Sequence, residues 1–121
     1  MSEPASRRSL LGLVALVLAV GAASQWWSHR QEVALGRAVS ALAQPGEVQM
    51  IASDACGVCA LARRWMTEHA VPFTECSIER DAACRAQYEA LNQPGTPVIV
   101  VRGRPELGFS PARLHERLTG T

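Results

Sequence analysis

Two cysteines separated by two residues, Cys56-Gly57-Val58-Cys59, are the part of this chain best suited to chemistry. A cysteine thiolate attacks a disulfide, and a second thiol one helical turn away displaces the product and closes an internal disulfide. That chemistry needs a reachable Cys56 whose charged form is stabilised. The pair falls between a short apolar run, Val48 to Ala52, and a helical pattern, Leu61 to His69, which puts Cys56 at a predicted helix N-terminus. Free amide N–H groups and the helix dipole favour negative charge there. The same two cysteines would also serve as half of a zinc site or as a plain structural disulfide. The other two cysteines, Cys76 and Cys84, have seven residues between them and form no second C-x-x-C, so the two-close-pair pattern of a zinc ribbon is missing.

The elements that must position these residues follow in order. Glu47 to Ala52 reads as a first strand and Ser53-Asp54-Ala55 as the turn into Cys56. The spacing predicts a helix over Gly57–Ala70, with Leu61, Ala62, Trp65, Met66 and His69 as its buried stripe. His69 reads as a helix-end histidine near the C-terminal dipole rather than a catalytic base. Val71 to Ile78 reads as a second strand, with Pro72 among its first residues. Strand, helix and strand in so short a span form a βαβ unit with parallel strands. Asp81 caps a helix over Ala82–Leu91, on which Cys84, Tyr88 and Leu91 share a face. Cys84 then points towards the strand carrying Cys76; the two are a structural disulfide, buried thiols, or a relay pair that exchanges with Cys56–Cys59. After the loop Asn92 to Gly95, Thr96-Pro97 opens the continuously apolar strand Val98–Val101, expected to be central and buried on both faces. Arg102-Gly103-Arg104 reads as a hairpin loop and Pro105 to Gly108 as a fourth, antiparallel strand. Ser110-Pro111 starts a last helix, buried through Leu114 and Leu118 and ended by Gly120.

Ahead of this domain the chain changes character. Arg7 and Arg8 precede an unbroken apolar or small-residue run, Leu10 to Ala23, followed by Trp26, Trp27, His29 and Arg30. Through Trp27 the run is long enough to span a bilayer, with the tryptophans at an interface. The strictly apolar part alone has the length of a signal-peptide core, and Gly21-Ala22-Ala23 resembles a cleavage site. Either way the arginines stay inside and the chain beyond Trp27 is exported. The expected division is thus 1–27 anchor or signal sequence, 28–46 helical linker ended by Pro45-Gly46, and 47–121 globular domain. The chain carries 12 Lys+Arg, all of them Arg, against 11 Asp+Glu. That near-balance, without a basic patch interleaved with aromatics, gives no nucleic-acid footprint. Four cysteines behind an export-like N-terminus fit an oxidising compartment.

The order β, Cys-Gly-Val-Cys, α, β, α, Thr-Pro, β, turn, β, α resembles the glutaredoxin branch of the thioredoxin fold across Glu47 to Leu118. The resemblance implies an α/β domain with a four-stranded mixed sheet. It implies that Cys56 attacks and Cys59 resolves, and that Thr96-Pro97 is a cis-proline segment facing the dithiol. It also implies that Gly108-Phe109-Ser110 turns into the last helix and holds the γ-glutamyl end of glutathione. Gly57-Val58 stands where the family has Pro-Tyr, no Lys precedes Cys56, and Leu107-Gly108 stands in place of a Gly-Gly pair. Asp54 opposes a low Cys56 pKa, whereas Arg63 and Arg64 favour it.

The expected function is thiol–disulfide exchange on proteins or glutathione mixed disulfides. No metal or bound cofactor is needed, and glutathione is a co-substrate. The expected location is the inner membrane with the domain in the periplasm, or, with the signal cleaved, the soluble periplasm. The alternative is a redox-inactive glutaredoxin-like binding or metal-holding module with structural cysteines.

Overall fold

A computed structural model describes residues 3–120; Met1, Ser2 and Thr121, which end the expected segments, lie outside them. The chain divides into two compact units, up to Val33 and from Ala34 onward.

The first unit is helical. It belongs to α1 (Glu3–Leu42), which continues without a break into residues of the second unit. No Pro or Gly-Pro break separates the apolar run from the helical pattern expected after it, and the two form one helix. The helix is long and apolar enough to cross a membrane over Ser6–Leu42. Its leucines and valines from Leu10 to Val20 are exposed, as are Trp26 and Trp27. The Arg30 guanidinium lies 4.4 Å from the Trp26 ring centroid, a cation–π contact.

The second unit is built on a four-stranded sheet ordered β2-β1-β3-β4. The strands are β1 (Val48–Ala52), β2 (Thr74–Ser77), β3 (Val98–Val101) and β4 (Arg104–Leu107). β1 pairs parallel with β2 and antiparallel with β3, and β3 pairs antiparallel with β4. The connecting helices are α2 (Gly57–Glu68), α3 (Ala82–Ala90) and α4 (Pro111–Thr119). Alternation along β1 sends Val48, Met50 and Ala52 to one face and Ile51 to the other. The first face packs on α2 through Cys59, Ala62, Trp65 and Met66, on α4 through Leu114 and Leu118, and on Val39 and Ala43. The second packs on α3 through Cys84, with Tyr88 and Leu91 partly buried. β3 is buried along its whole length, as its four apolar residues require.

Several boundaries differ from expectation, each for a local reason. Residues 34–46, expected in a linker, belong to the globular unit, where Val39 and Ala43 are buried in its core. α2 stops at Glu68 because Ala70 takes a left-handed conformation (φ 54°) and Val71 N–H reaches back to Met66 O at 2.9 Å. β2 starts at Thr74, three residues later than expected, after Pro72, which has no N–H to donate to a ladder. Arg104 lies inside β4 rather than in the hairpin loop. Leu61, expected in the buried stripe of α2, is 61% exposed, because the packed face centres on Cys59, Ala62 and Met66.

Candidate functional site: a dithiol at a helix start

Cys56 is the N-cap of α2. Its backbone is extended (φ −127°, ψ 106°), and its sulfur accepts the Cys59 N–H at 3.1 Å. A side-chain acceptor at this position satisfies one of the orphan amides of the first turn. For a sulfur, the same contact together with the helix dipole stabilises the thiolate. Cys56 and Cys59 form a disulfide, with Cα atoms 5.2 Å apart. The two sulfurs are unequal in access: Cys56 is half-buried, while Cys59 is 1% exposed.

The charged neighbours of Cys56 are arranged differently from expectation. Arg63 is bound to Glu75 across α2 and β2, its Nε donating at 3.0 and 2.8 Å and its Nη2 bonding the same carboxylate. Glu75 holds the Arg63 guanidinium above its ordinary pKa, chiefly through that hydrogen bond. Arg64 pairs with Glu68 one turn on, at 3.5 Å. Neither arginine is therefore aimed at Cys56. Asp54 is likewise engaged: its Oδ1 accepts from Arg80 Nε and Nη2 at 2.9 and 2.7 Å and from the Ser77 hydroxyl at 3.0 Å. Glu79 accepts from the Ser53 hydroxyl and from Asp54 N–H at 3.1 Å, and it shares the Ser77 hydroxyl with Asp54, at 3.0 Å. These bonds, Ser53 first, hold its carboxyl below the usual range. A cavity of about 570 Å³ opens on Cys56 among these groups, at the carboxyl ends of β1 and β2.

The remaining expected site residues lie on the other side of the dithiol. The Thr96–Pro97 peptide is cis, and Pro97 is buried. Ile51 is paired with Val98, so the β1–β3 register continued by one residue sets Pro97 beside Ala52, the end of the strand that leads to Cys56. Pro97 O accepts the Gly108 N–H at 2.8 Å, which ties the two expected substrate-binding segments together. Gly108 has φ 86°, a conformation that suits glycine. Ser110 is the N-cap of α4 and its hydroxyl oxygen accepts from Arg113 N–H at 3.5 Å. Phe109 packs on the core, its ring centroid 5.8 Å from that of Trp65. Gly108, Phe109 and Ser110 line a second cavity of about 340 Å³, between β3, β4 and α4, which Cys56 does not line. Cys76 and Cys84 form a second disulfide, between β2 and α3, with Cα atoms 6.0 Å apart.

Sequence reasoning did not find the contact that seats α1. A Cβ on Gly36 would run into the His69 ring, so the ring packs directly on the α1 backbone. His69 Nδ1 lies 2.9 Å from Trp65 O, and the two rings are 4.4 Å apart. A glycine that weakens an otherwise regular helix was the available signal.

A βαβ unit followed by a helix, a hairpin and a last helix, with a C-x-x-C pair at the first helix start and a cis-proline opening the third strand, is the thioredoxin fold. Solved structures agree. A thioredoxin-like protein superposes with a TM-score of 0.55 at 23% identity, over 61% of this chain and 96% of that one. The glutaredoxin of Archaeoglobus fulgidus gives 0.51 at 21% identity, over 61% and 87%. A mutated buckwheat glutaredoxin gives 0.51 at 14% identity, over 74% and 89%. No curated protein sequence matches the chain. The glutaredoxin family model matches residues 48–105, so this segment is a glutaredoxin-type domain.

Proposed function

We propose that the protein is a membrane-tethered thiol–disulfide oxidoreductase whose redox domain faces the envelope side, the periplasm. The family and the two disulfide-bonded pairs support oxidoreductase chemistry in general terms. The observation that carries the finer reading is the half-buried Cys56 sulfur at the N-cap of α2, bonded to a fully buried Cys59. Only the first is reachable by a partner disulfide.

In the reduced protein the Cys56 thiolate attacks one sulfur of the substrate disulfide. The substrate S–S bond breaks, a mixed disulfide forms, and the leaving sulfur departs as a thiolate and takes up a proton. Cys59, as thiolate, then attacks the Cys56 sulfur, closes Cys56–Cys59 and releases the second substrate thiol. Two electrons have passed to the substrate. An external thiol, glutathione or a protein dithiol, returns them by the same exchange. Thr96 and Pro97 align the substrate backbone, and Gly108, Phe109 and Ser110 hold its far end. No metal or bound cofactor takes part.

The test is the reduction potential of Cys56–Cys59 in the full chain in detergent, equilibrated against glutathione buffers and read by alkylation and mass. A value of about −270 to −200 mV marks a reductase, and one near −120 mV an oxidant that makes disulfides in other proteins. Cys59→Ser should trap mixed disulfides on Cys56. A pair that resists reduction below about −300 mV, as structural disulfides do, with no trapped adduct, would overturn the proposal in favour of a redox-inactive module.

A further inference from the structure

We infer that the cavity beside Cys56 selects polypeptide disulfides with a basic residue next to the target cysteine, and disfavours anionic disulfides such as oxidised glutathione. This rests on the exchange activity proposed above and names its substrate class.

The cavity sits where an anion would ordinarily bind, outside the carboxyl ends of parallel strands and at the starts of two helices, α2 and α3. Its two guanidiniums and several of its helix-start amides already have internal partners. Asp81 Oδ1 takes the second and third amides of α3, Ala83 and Cys84 N–H, at 2.9 and 3.2 Å. The Cys56 sulfur takes the Cys59 N–H. Arg63 is forked onto Glu75 and Arg80 onto Asp54. An incoming carboxylate would have to displace a carboxylate already in place, with no gain in pairing.

A cation must share carboxylates that Arg63 and Arg80 already engage, but it meets a wall with more negative groups than positive ones. Asp54, Glu75 and Asp81 line the cavity and Glu79 stands behind Asp54, while Arg63 and Arg80 are the two cations of the wall. Three lining carboxylates against two guanidiniums leave an excess of one negative charge on the wall, and Glu79, bonded to Asp54 N–H, adds to it from outside the lining. Glu79 stays ionised into the acid range because its hydrogen bonds hold it below the usual carboxylate pKa. Each carboxylate has up to four lone-pair sites and keeps acceptor capacity after its bonds. Oxidised glutathione brings four carboxylates and two ammonium groups, a net negative charge that the cavity repels. Lys or Arg beside a target cysteine brings the complementary sign to within a few ångströms of Cys56.

The rest of the helix start favours a polypeptide over a small disulfide. Val58 and Leu61 are 46% and 61% exposed and lie outside the cavity, on the opposite flank of α2 from Ala60 and Arg63. A segment that places a basic side chain in the cavity and its sulfur on Cys56 continues over this apolar flank, beyond the reach of a tripeptide.

The experiment uses the reduced full chain in detergent and three peptide homodisulfides that differ only in Arg, Gln or Glu beside the cysteine, with oxidised glutathione as a fourth substrate. Each rate is divided by that of dithiothreitol on the same disulfide, which removes intrinsic reactivity. The expected order is Arg, Gln, Glu, with glutathione near the Glu peptide and an Arg-to-Glu ratio of about tenfold at low salt. The ratio should shrink towards unity by 1 M salt, where the Debye length is about 3 Å. In the Asp54→Asn/Glu75→Gln double variant it should fall at least threefold at low salt. A ratio of one, a reversed order, or a ratio indifferent to salt overturns the inference while leaving the exchange activity standing. Failure of the reduced chain to react with any disulfide overturns the proposed function and this inference with it.

Discussion

The two faces of the sheet hold themselves together by different means. On the α2 face fourteen buried residues, from α1, α2, β1, β3 and α4 and from the segments just after α1 and α2, form one cluster, enough apolar packing to be held without a covalent bond. On the α3 face four of the described residues are buried, and α3 is nine residues long. That face is fastened instead by specific bonds: Cys76–Cys84 between β2 and α3, and a reciprocal amide pair between Gln49 and Gln87 at 3.0 and 2.8 Å. The difference bears directly on the two disulfides. In the proposed reaction Cys56–Cys59 opens and closes in each turnover, and it lies on the face whose packing holds the structure without it. The second disulfide lies where little else would hold the helix.

The contrast can be broken most directly at the cysteines. Cys56→Ser should abolish disulfide exchange, a loss of roughly a thousandfold or more, while Cys76→Ala/Cys84→Ala should leave exchange within a few-fold of the parent; both are read by turnover of a peptide disulfide. Stability should show the reverse pattern. Loss of the nine-residue loop closed by Cys76–Cys84 should cost roughly 2–3 kcal/mol in chemical denaturation, more than Cys56→Ser, whose four-residue loop is worth less. Equal costs would mean the α3 face does not depend on its disulfide. On the packed face, Gly36→Ala should destabilise by about 1–3 kcal/mol, because the new methyl meets the His69 ring. Adding His69→Ala should recover part of that loss, and strict additivity in the double-mutant cycle would show that the two do not touch. The smallest effect concerns pH. Because the Glu79 pKa is lowered on folding, its contribution is present above the ordinary carboxylate pKa and is lost as pH falls through the lowered value. Ser53→Ala should move the Glu79 titration upward, read from its side-chain carbon shift in NMR; an unmoved midpoint would remove Ser53 as the cause.

Features set by neighbours in sequence could be read before the structure. Asp81 and Ser110 cap the helices they precede, and four consecutive apolar residues make the central strand. The element order, and with it the fold, follows from such local signals. What escaped was set by partners distant in the chain. The sequence places Arg63 and Arg64 one to two turns beyond Cys56 but does not show that Glu75, on another element, takes up Arg63. Asp54 looks like a charge opposing the thiolate until Arg80, twenty-six residues on, is seen bound to it. Leu61 has an acceptable helical spacing, yet it lies about 100° round the helix from Ala62, off the packed face. Gly36 reads as a weak point in a helix, and only the folded chain shows His69 filling the space it leaves.

The seating of residues 34–43 in the core also determines which processing events the redox domain survives. Removal of everything up to Ala23, the candidate signal cleavage, would take nothing from the unit that begins at Ala34 and should leave its fold intact. A protease cut at the exposed Gln44-Pro45-Gly46 turn would act differently. It would take Val39 and Ala43 from the core and Gly36 from beneath His69, and the cleaved product should lose its fold.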